Sequence, residues 1–179
     1  MIINPLKAIE EGWVSGIRNP EVQVQPNAID YTLDKAFRLE HDSTFMINEE
    51  RKAMRGSSEY LAGPIYLNGE LVEENGWIVE DMIDVLSDMY VKLPEGVAAI
   101  LVPRSTFVRN GLFTQNGLYD SGFEGHIGTI LHNRGNDAVV GQGTRLGQVM
   151  FVEAGTAGLY AGGYNHAEGT DLDYQDGEG

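Results

Sequence analysis

Cysteine is absent from this chain of 179 residues, which excludes disulfides, thiolate metal sites and a catalytic thiol. Basic residues are also scarce: 12 Lys and Arg stand against 27 Asp and Glu, which gives a formal net charge of −15. Binding to a nucleic-acid backbone needs a basic surface that displaces counterions, so we expect no nucleic-acid partner. A few well-placed arginines could still hold a small phosphorylated ligand.

Long apolar runs are missing as well. No segment reaches the length of a membrane-spanning helix, and the N-terminal residues MIINPLKAIEEG lack the basic start and long apolar stretch of a signal peptide. We therefore expect a cytoplasmic protein with no membrane partner. Residues 166–179 contain five acids and no base, so the sequence predicts one domain over residues 1–165 and an acidic, disordered tail over 166–179.

The sequence signatures of several common catalytic sites are not found. There is no Gly-x-Ser-x-Gly elbow and no phosphate-binding P-loop. The histidines are too dispersed along the chain to suggest a metal site, at His41, His126, His132 and His166.

Short apolar runs separated by turns make up most of the chain. Asn4 and Pro5 are typical of an N-cap and a first helical residue, which predicts a short N-terminal helix. Val22 and Val24 alternate with glutamines, which predicts a strand. Further apolar runs recur between breakers such as Asn75-Gly76, a pattern typical of an all-β sandwich, jelly roll or barrel. These runs cover residues 65–67, 77–79, 97–102, 127–131 and 149–152.

The first candidate site follows the apolar run 97–102. Arg104 and Ser105 at the end of that run can offer a fork of N–H donors, a hydroxyl and backbone N–H groups to one phosphate. A surface turn with a solvated arginine is the alternative on spacing alone.

The second candidate site surrounds Asp120. Asn116-Gly117 predicts the start of a tight hairpin, and Leu118 and Phe123 flank the aspartate with apolar surface. A carboxylate that is partly desolvated in this way can act as a general base. The alternative is a turn aspartate that accepts local backbone N–H bonds.

The third candidate is the glycine pair 162–163 between Tyr160 and Tyr164. Such a segment can form a mobile flap whose aromatic ring stacks on a planar base. An ordinary turn is the alternative.

Taken together, these segments resemble the family of trimeric dUTPases and dCTP deaminases, in order from about residue 20 to residue 165. Residues 25–33 (QPNAIDYTL) are similar to the first family motif in its deaminase form. The second, third and fourth motifs are matched by residues 103–111 (PRSTFVRNG), 117–133 (GLYDSGFEGHIGTILHN) and 143–148 (GTRLGQ). The resemblance implies a distorted jelly roll, or β-sandwich, with a short N-terminal helix, assembled as a homotrimer with shared active sites.

The resemblance also implies roles in phosphate chemistry. Asp120 would activate the water that attacks the α-phosphorus of dUTP, giving dUMP and pyrophosphate. Arg104, Ser105 and Gln148 would hold the phosphates, together with a Mg²⁺ bound mainly by the triphosphate rather than by a metal site of the protein. Arg109 matches the second arginine of the deaminase form and is assigned to substrate binding.

For the rest of the substrate, the resemblance implies three kinds of contact. The backbone around Asn116, Gly117 and Leu118 would recognise the edge of the uracil. Phe123 takes the place of the family's aromatic residue beneath the deoxyribose, and Tyr164 would stack on the base. Two departures from the family pattern are the sequence AGGYN at 161–165, in place of a Gly-rich motif with a Phe, and a glycine at 122 in place of the second Asp of the third motif.

Position 130 separates the two branches of the family. The deaminases carry a catalytic Glu at this position, whereas this chain has Ile130, and an alkyl side chain cannot shuttle a proton. Thr129 and Leu131 point to the opposite face of a strand. The implied activity is therefore that of a dUTP diphosphatase. The alternatives are a dCTP deaminase or a dCTP-acting pyrophosphatase of the same fold, and a non-catalytic nucleotide-binding regulatory protein.

Overall fold

The computed structural model of the chain describes residues 1–40, 47–48, 51–52, 56–162 and 164–165. Helices are short: α1 Pro5–Glu10, α2 Pro20–Gln23 and α3 Ser105–Arg109. The strands, in chain order, are β1 Val14–Ser15, β2 Ile29–Thr32, β3 Lys35–Leu39, β4 Ile47–Asn48, β5 Arg51–Lys52, β6 Ser57–Tyr60, β7 Gly63–Leu67, β8 Glu70–Val79, β9 Met82–Lys92, β10 Val97–Pro103, β11 Leu112–Thr114, β12 Leu118–Tyr119, β13 Glu124–Asn133, β14 Ala138–Gly141 and β15 Arg145–Glu153.

Two antiparallel sheets form the body of the fold. The larger has the order β11-β13-β9-β3-β6, with β1 also paired to β9, and the second has the order β12-β10-β15-β2. A third sheet, β14-β8-β7, and the pair β4-β5 complete the topology of the described residues. Strands account for 53% of the structure and helices for 10%, which confirms the predicted all-β class with a short N-terminal helix.

The two main sheets share one hydrophobic core. From the larger sheet, Val85 and Leu131 are among its buried members, and from the smaller sheet Leu101 and Phe151. Side chains along β13 alternate between fully buried and half-buried positions over the whole strand. One face of β13 therefore packs in the core, and the other face is left to line a cavity.

The N-terminal segment confirms one prediction and corrects another. Asn4 caps α1 by accepting a hydrogen bond from the backbone N–H of Leu6 at 3.0 Å, with Pro5 at the first helical position. The strand predicted from Val22 and Val24 is wrong, because Val22 lies in the short helix α2. Pro20 begins that helix, and its fixed φ favours a helical start over the local alternation.

Two of the predicted Asn-Gly turns do not form. Asn75-Gly76 lies inside the long strand β8 rather than between strands. Asn116-Gly117 runs into β12, where the carbonyl of Gly117 accepts from the N–H of Leu101 at 2.9 Å. The turn instead lies further along, where the N–H of Phe123 donates to the carbonyl of Asp120 at 3.0 Å.

The predicted acidic tail over residues 166–179 lies outside the described residues, so the division at residue 165 stays a prediction. Within the described part of the chain, no helix is long and apolar enough to cross a membrane.

Candidate functional site

A cavity of about 360 Å³ lies between the β12 segment and the half-buried face of β13, and we call it the hairpin cavity. Four predicted substrate-binding residues line it along the 116–123 segment: Asn116, Gly117, Leu118 and Phe123. Asp120 and Tyr164 line it as well. The remaining lining residues are Asp84, Leu86, Leu101, Gln115, Tyr119, His126, Gly128, Thr129, Ile130 and Tyr160.

Asp120 is exposed at the rim of this cavity, which corrects the expectation that it is partly desolvated. The reason is strand alternation: Tyr119 turns inward onto Phe123, so Leu118 and Asp120 turn outward. Among the described residues, the Asp120 carboxylate accepts no hydrogen bond, so the alternative of a turn aspartate satisfied by its own loop does not hold. The carboxylate can instead bind a water at the cavity mouth.

The turn after Asp120 explains why the chain has a glycine at position 122. Gly122 adopts φ of +88°, which a residue with a Cβ rarely adopts. A Cβ built there would also lie 2.9 Å from the Cβ of Leu159. The departure from the family pattern at this position thus follows from a tight turn covered by the 159–160 segment.

Three aromatic rings form one wall of the cavity. Phe123 meets Tyr119 edge to face with ring centroids 4.7 Å apart, and Tyr160 with centroids 5.5 Å apart. Gly125 leaves room for this arrangement, because a Cβ there would lie 3.0 Å from the Phe123 ring. The three rings thus give the cavity an apolar wall against which a flat or apolar surface can pack.

Tyr119 is locked in this wall by its hydroxyl, which donates to the carbonyl of Gly128 at 3.0 Å and accepts from the N–H of the same residue at 3.1 Å. Burial raises the pKa of Tyr119 to about 12, and the negative charge of Asp84 adds to that rise. The phenol therefore stays protonated at neutral pH and holds β12 against β13.

The floor of the cavity is formed by β9 and β13. Leu86 and Gly128 are paired across these strands, as are Asp84 and Ile130. Ile130 lines the cavity and Leu131 is buried in the core, whereas Thr129, which was predicted to point away, is buried but also lines the cavity. Position 130, where the resemblance implies Glu in the deaminases, thus faces the cavity and carries an isoleucine, with Asp84 on the neighbouring strand.

A second cavity, about 420 Å³, lies at the other end of the smaller sheet, and we call it the arginine groove. It is lined by Arg18, Asn19, Val22, Gln23, Thr32, Arg104, Gly143, Thr144 and Arg145. Arg18 hydrogen-bonds to Asp34 and Asp88 on one side of the groove. The other side holds Arg104 and Arg145.

Asp30 organises that second side from within the protein. Its carboxylate is 1% exposed and accepts from Arg145 Nη1 at 3.0 Å and from Gln148 Nε2 at 2.9 Å, with Arg104 Nε at 3.4 Å. Two guanidinium groups share one carboxylate, so this side of the groove keeps an excess of one positive charge. Such a cluster can hold an anionic group such as a phosphate.

Three predicted substrate residues lie outside both cavities: Ser105, Arg109 and Gln148, the last of which donates to Asp30 beside the arginine groove. Ser105 and Arg109 are exposed at the two ends of α3, and neither lines the hairpin cavity or the arginine groove. Tyr164, in contrast, sits at the mouth of the hairpin cavity, held by the neighbouring Asn165, whose side chain accepts from the N–H of Glu124 at 3.0 Å.

The two cavities have no lining residue in common. On the smaller sheet, Tyr119 pairs with Ala99 while Gln148 pairs with Val102 on the opposite side of β10. Tyr119 and Gln148 are therefore offset by three residues along the strand direction and lie two strands apart, which corresponds to a backbone separation of about 14 Å. Asp120 lies one residue further away, so one chain does not bring Asp120 and Gln148 together around a single phosphorus atom.

The described residues contain no cluster of three or more His, Cys, Asp or Glu side chains that could hold a metal ion. Asp30, the most buried carboxylate near the arginines, is already bound to cationic and amide donors. The Mg²⁺ dependence stays a prediction.

Comparison with protein families decides the identity of the domain, because a family model described as dCTP deaminase-like matches residues 6–154. The chain belongs to the dCTP deaminase-like family.

Relatives of this deaminase-like chain carry two different names. A probable deoxyuridine 5'-triphosphate nucleotidohydrolase of Methanopyrus kandleri is 28% identical over 145 residues, covering 80% of this chain and 88% of the relative. A dUMP-forming dCTP deaminase of Sulfurihydrogenibium is 28% identical over 173 residues, with 92% and 89% covered. A deaminase of the same name from Bifidobacterium longum is 31% identical over 161 residues, with 87% and 77% covered.

The fold agrees with this membership. The crystal structure of 2'-deoxycytidine 5'-triphosphate deaminase from Agrobacterium tumefaciens superposes with a TM-score of 0.62 at 18% identity, over 86% of this chain. This chain spans about half the length of that deaminase, since 48% of it is covered. The expected fold of the dUTPase and deaminase type is thereby confirmed.

Sequence reasoning missed three charged residues that the fold places at the two cavities: Asp30, Asp84 and Arg145. Each lies in or at the start of an apolar strand, and a charged residue in such a strand is the local pattern that could have marked it. Their partners come from strands distant in sequence, so the pairing itself is visible only in the fold.

Proposed function

We propose that this protein is a dUTP diphosphatase that hydrolyses dUTP to dUMP and pyrophosphate. One observation carries the proposal: the outward-facing carboxylate of Asp120 stands at the mouth of a cavity that holds an aromatic wall but no carboxylate at position 130. The family to which the chain belongs includes relatives named as nucleotidohydrolases of deoxyuridine triphosphate.

In the proposed reaction, the substrate is dUTP carrying a Mg²⁺ on its phosphates. Asp120 accepts a proton from a water and orients its oxygen toward the α-phosphorus. The oxygen bonds to that phosphorus, and the bond to the bridging oxygen of the β-phosphate breaks. Pyrophosphate leaves with the bridging oxygen, while dUMP keeps the new oxygen.

The hairpin cavity supplies the contacts to the nucleoside. Phe123 lies under the deoxyribose, where a 2'-hydroxyl would clash, and the exposed ring of Tyr164 stacks on the base. The backbone of Asn116, Gly117 and Leu118 faces the uracil edge. These contacts favour a deoxynucleotide over a ribonucleotide.

The phosphate contacts come from the arginine groove, and we propose that they come from another subunit. Arg104 and Gln148 are anchored on Asp30 at the far end of the sheet from Asp120. A homotrimer with cyclic symmetry would bring the groove of one chain to the hairpin cavity of the next, giving three shared sites. Ser105 and Arg109, exposed on α3, are then free to reach the substrate bound at a neighbouring cavity.

A dCTP-acting enzyme is the second candidate, because relatives at 28–31% identity are named as dUMP-forming dCTP deaminases. Deamination needs a group that carries a proton between water and the cytosine ring. Ile130 supplies none at the position where the deaminases have Glu, so we place this reaction second.

The test is incubation of the protein with each of the four dNTPs and Mg²⁺, followed by separation of bases and phosphates. We expect dUMP and pyrophosphate from dUTP, and no uracil nucleotide from dCTP. Formation of dUMP from dCTP at a rate comparable to dUTP cleavage would establish the second candidate. No product from any nucleotide, despite binding, would identify a non-catalytic binding protein.

A further inference from the structure

His126 on β13 lines the hairpin cavity, and neither the sequence analysis nor the proposed reaction gives it a role. Its side chain is half-buried, and its Nδ1 atom lies 3.0 Å from the carbonyl oxygen of Ser87. A carbonyl oxygen only accepts, so Nδ1 carries the hydrogen of this bond. In the neutral imidazole, Nε2 then has no hydrogen and is an acceptor.

Two neighbours on β9 fix the orientation of this imidazole. Tyr90 is directly paired with His126 across the strands, and the two rings meet edge to face with centroids 5.2 Å apart. The Tyr90 hydroxyl in turn donates to Glu124, which also binds Lys92. The ring cannot exchange its two nitrogens without losing the bond to Ser87, so the Nε2 acceptor has a fixed place.

Within the described part of the chain, the side-chain contacts of His126 are the bond from Nδ1 to Ser87 and the ring contact with Tyr90. Neither contact uses Nε2. The carboxylates that line the same cavity are Asp84 and Asp120, and an ionised carboxylate has no hydrogen to donate. The group that binds to Nε2 must therefore be a donor brought by a ligand or by water.

We propose that Nε2 of His126 accepts a hydrogen bond from the 3'-hydroxyl of the deoxyribose, which makes His126 a specificity residue for the sugar. This inference rests on the proposed function for the identity of the ligand. In that function the uracil edge faces the backbone of residues 116–118, whereas the sugar has only the apolar ring of Phe123. The 3'-hydroxyl is a donor that this arrangement leaves without an acceptor.

The position of His126 beside Phe123 supports the sugar as its partner. A Cβ built at Gly125 would lie 3.0 Å from the Phe123 ring, and His126 is the next residue along β13. Consecutive Cα atoms are about 3.8 Å apart, so the imidazole starts close to the ring proposed to lie beneath the deoxyribose. A site that binds a substrate hydroxyl in this way discriminates against an analogue that lacks it.

The first test needs no variant of the protein. The monophosphate of 2',3'-dideoxyuridine lacks the 3'-hydroxyl, so its binding leaves the half-buried Nε2 without a donor. We expect calorimetry on the unmodified protein to show binding about tenfold weaker than that of dUMP, since one neutral hydrogen bond is lost. Equal binding of the two monophosphates would overturn the inference.

Two variants at the same position then locate the acceptor. The Asn amide reaches as far from the backbone as Nδ1, so His126→Asn can keep the bond to Ser87 while it removes the acceptor at Nε2. The Gln amide reaches as far as Nε2, so His126→Gln offers an oxygen acceptor at that point. The preference for dUMP should vanish in the Asn variant and return in the Gln variant, a rescue that a purely structural role would not produce.

His132→Asn is the matched control, since His132 is another half-buried histidine of β13 and does not line the cavity. It should keep the preference for dUMP. A preference that survives in His126→Asn would overturn the inference and assign the hydroxyl to another acceptor, such as Asp120 at the rim.

These outcomes are separable from a failure of the proposed function, because hydrolysis of dUTP by the unmodified protein is measured independently. A protein that hydrolyses dUTP but binds both monophosphates equally retains the function and rejects the inference. A protein that prefers dUMP through His126 but hydrolyses no dUTP retains the inference and rejects the function.

Discussion

The hairpin cavity is walled by aromatic and aliphatic side chains, whereas the arginine groove is lined by three guanidinium groups. In the first, the carboxylates are Asp120 at the rim and Asp84 in the floor. In the second, the carboxylate of Asp30 is buried behind the arginines and holds them in place. The cavity suits a planar base and a sugar, and the groove suits phosphates, so each region offers half of a nucleotide site.

Under the proposed function, this division means that neither region of one chain is a complete active site. The chemistry that Asp120 would perform takes place on a phosphorus atom, yet the groups suited to hold phosphates lie at the far end of the sheet. Pockets form preferentially where two surfaces meet, and closed symmetry repeats such a contact. The following experiments test the division from its largest expected effect to its smallest.

Asp120→Asn should lower dUTP turnover by about 10²–10⁴-fold while nucleotide binding survives, because the amide keeps the shape of the side chain but cannot take a proton. Steady-state kinetics and calorimetry on the same preparations measure the two effects. Asp137→Asn, which removes an exposed acid outside both regions, serves as the control. Turnover near that of the parent would remove Asp120 from the reaction.

Asp30→Asn should lower the free energy of unfolding of the protein, because it removes the carboxylate that anchors the arginine groove. The change leaves Arg104 and Arg145 facing one another without their shared carboxylate, and breaking a buried ion pair on one side costs about 3 kcal/mol or more. Urea unfolding measures this loss, and Asp34→Asn on the more exposed side of the groove should cost less. Equal, small losses in both variants would show that Asp30 does not organise the groove.

Phe123→Ala should open the wall beneath the sugar in the cavity. We expect UTP cleavage relative to dUTP cleavage to rise by about tenfold, since one wall of the pocket is worth only a few kcal/mol of discrimination. Competition between the two triphosphates measures the ratio directly. An unchanged ratio would place the sugar discrimination at another residue.

Ionisation of Tyr119 should make the free energy of unfolding of the protein fall at alkaline pH. Its pKa is raised by burial to about 12, against about 10 in the unfolded chain, so its contribution is complete below pH 10. That contribution is lost as the pH rises from 10 toward 12, because the unfolded phenol ionises first. Between pH 9 and pH 11, Tyr119→Phe should reduce the fall in unfolding free energy by about 1 kcal/mol. An equal fall in both proteins would contradict the assigned burial.

Local patterns sufficed to predict the strands that frame both regions. The run 97–102 became β10 and the run 149–152 became part of β15, because each is a continuous apolar run of the length of a buried strand. The same reasoning failed for Val22 and Val24, where the helix start at Pro20 outweighed alternation over a few residues. It also failed at Asn116-Gly117, because pairing with β10 extends the backbone there.

Site residues that belong to a recognisable sequence motif could also be predicted from the sequence. Asp120, Phe123 and Tyr164 belong to distinctive segments, and all three line the hairpin cavity. The pairing of Asp84 with Ile130 depends on the register of two strands far apart in the chain, which no local pattern determines. The same holds for Asp30, whose arginine and amide partners lie more than seventy residues away.

The central claim is that the hairpin cavity of one chain works with the arginine groove of another. Asp120→Asn and Arg104→Ala chains, each inactive alone, should be refolded together with different affinity tags, and mixed assemblies isolated by both tags. If the site is shared around a closed trimer, one of the three sites in each mixed assembly receives an intact Asp120 and an intact Arg104, so about one third of parent activity should return. Mixed assemblies that form, with a mass near three chains of 19.6 kDa, but show no more activity than the two variants alone would contradict the claim.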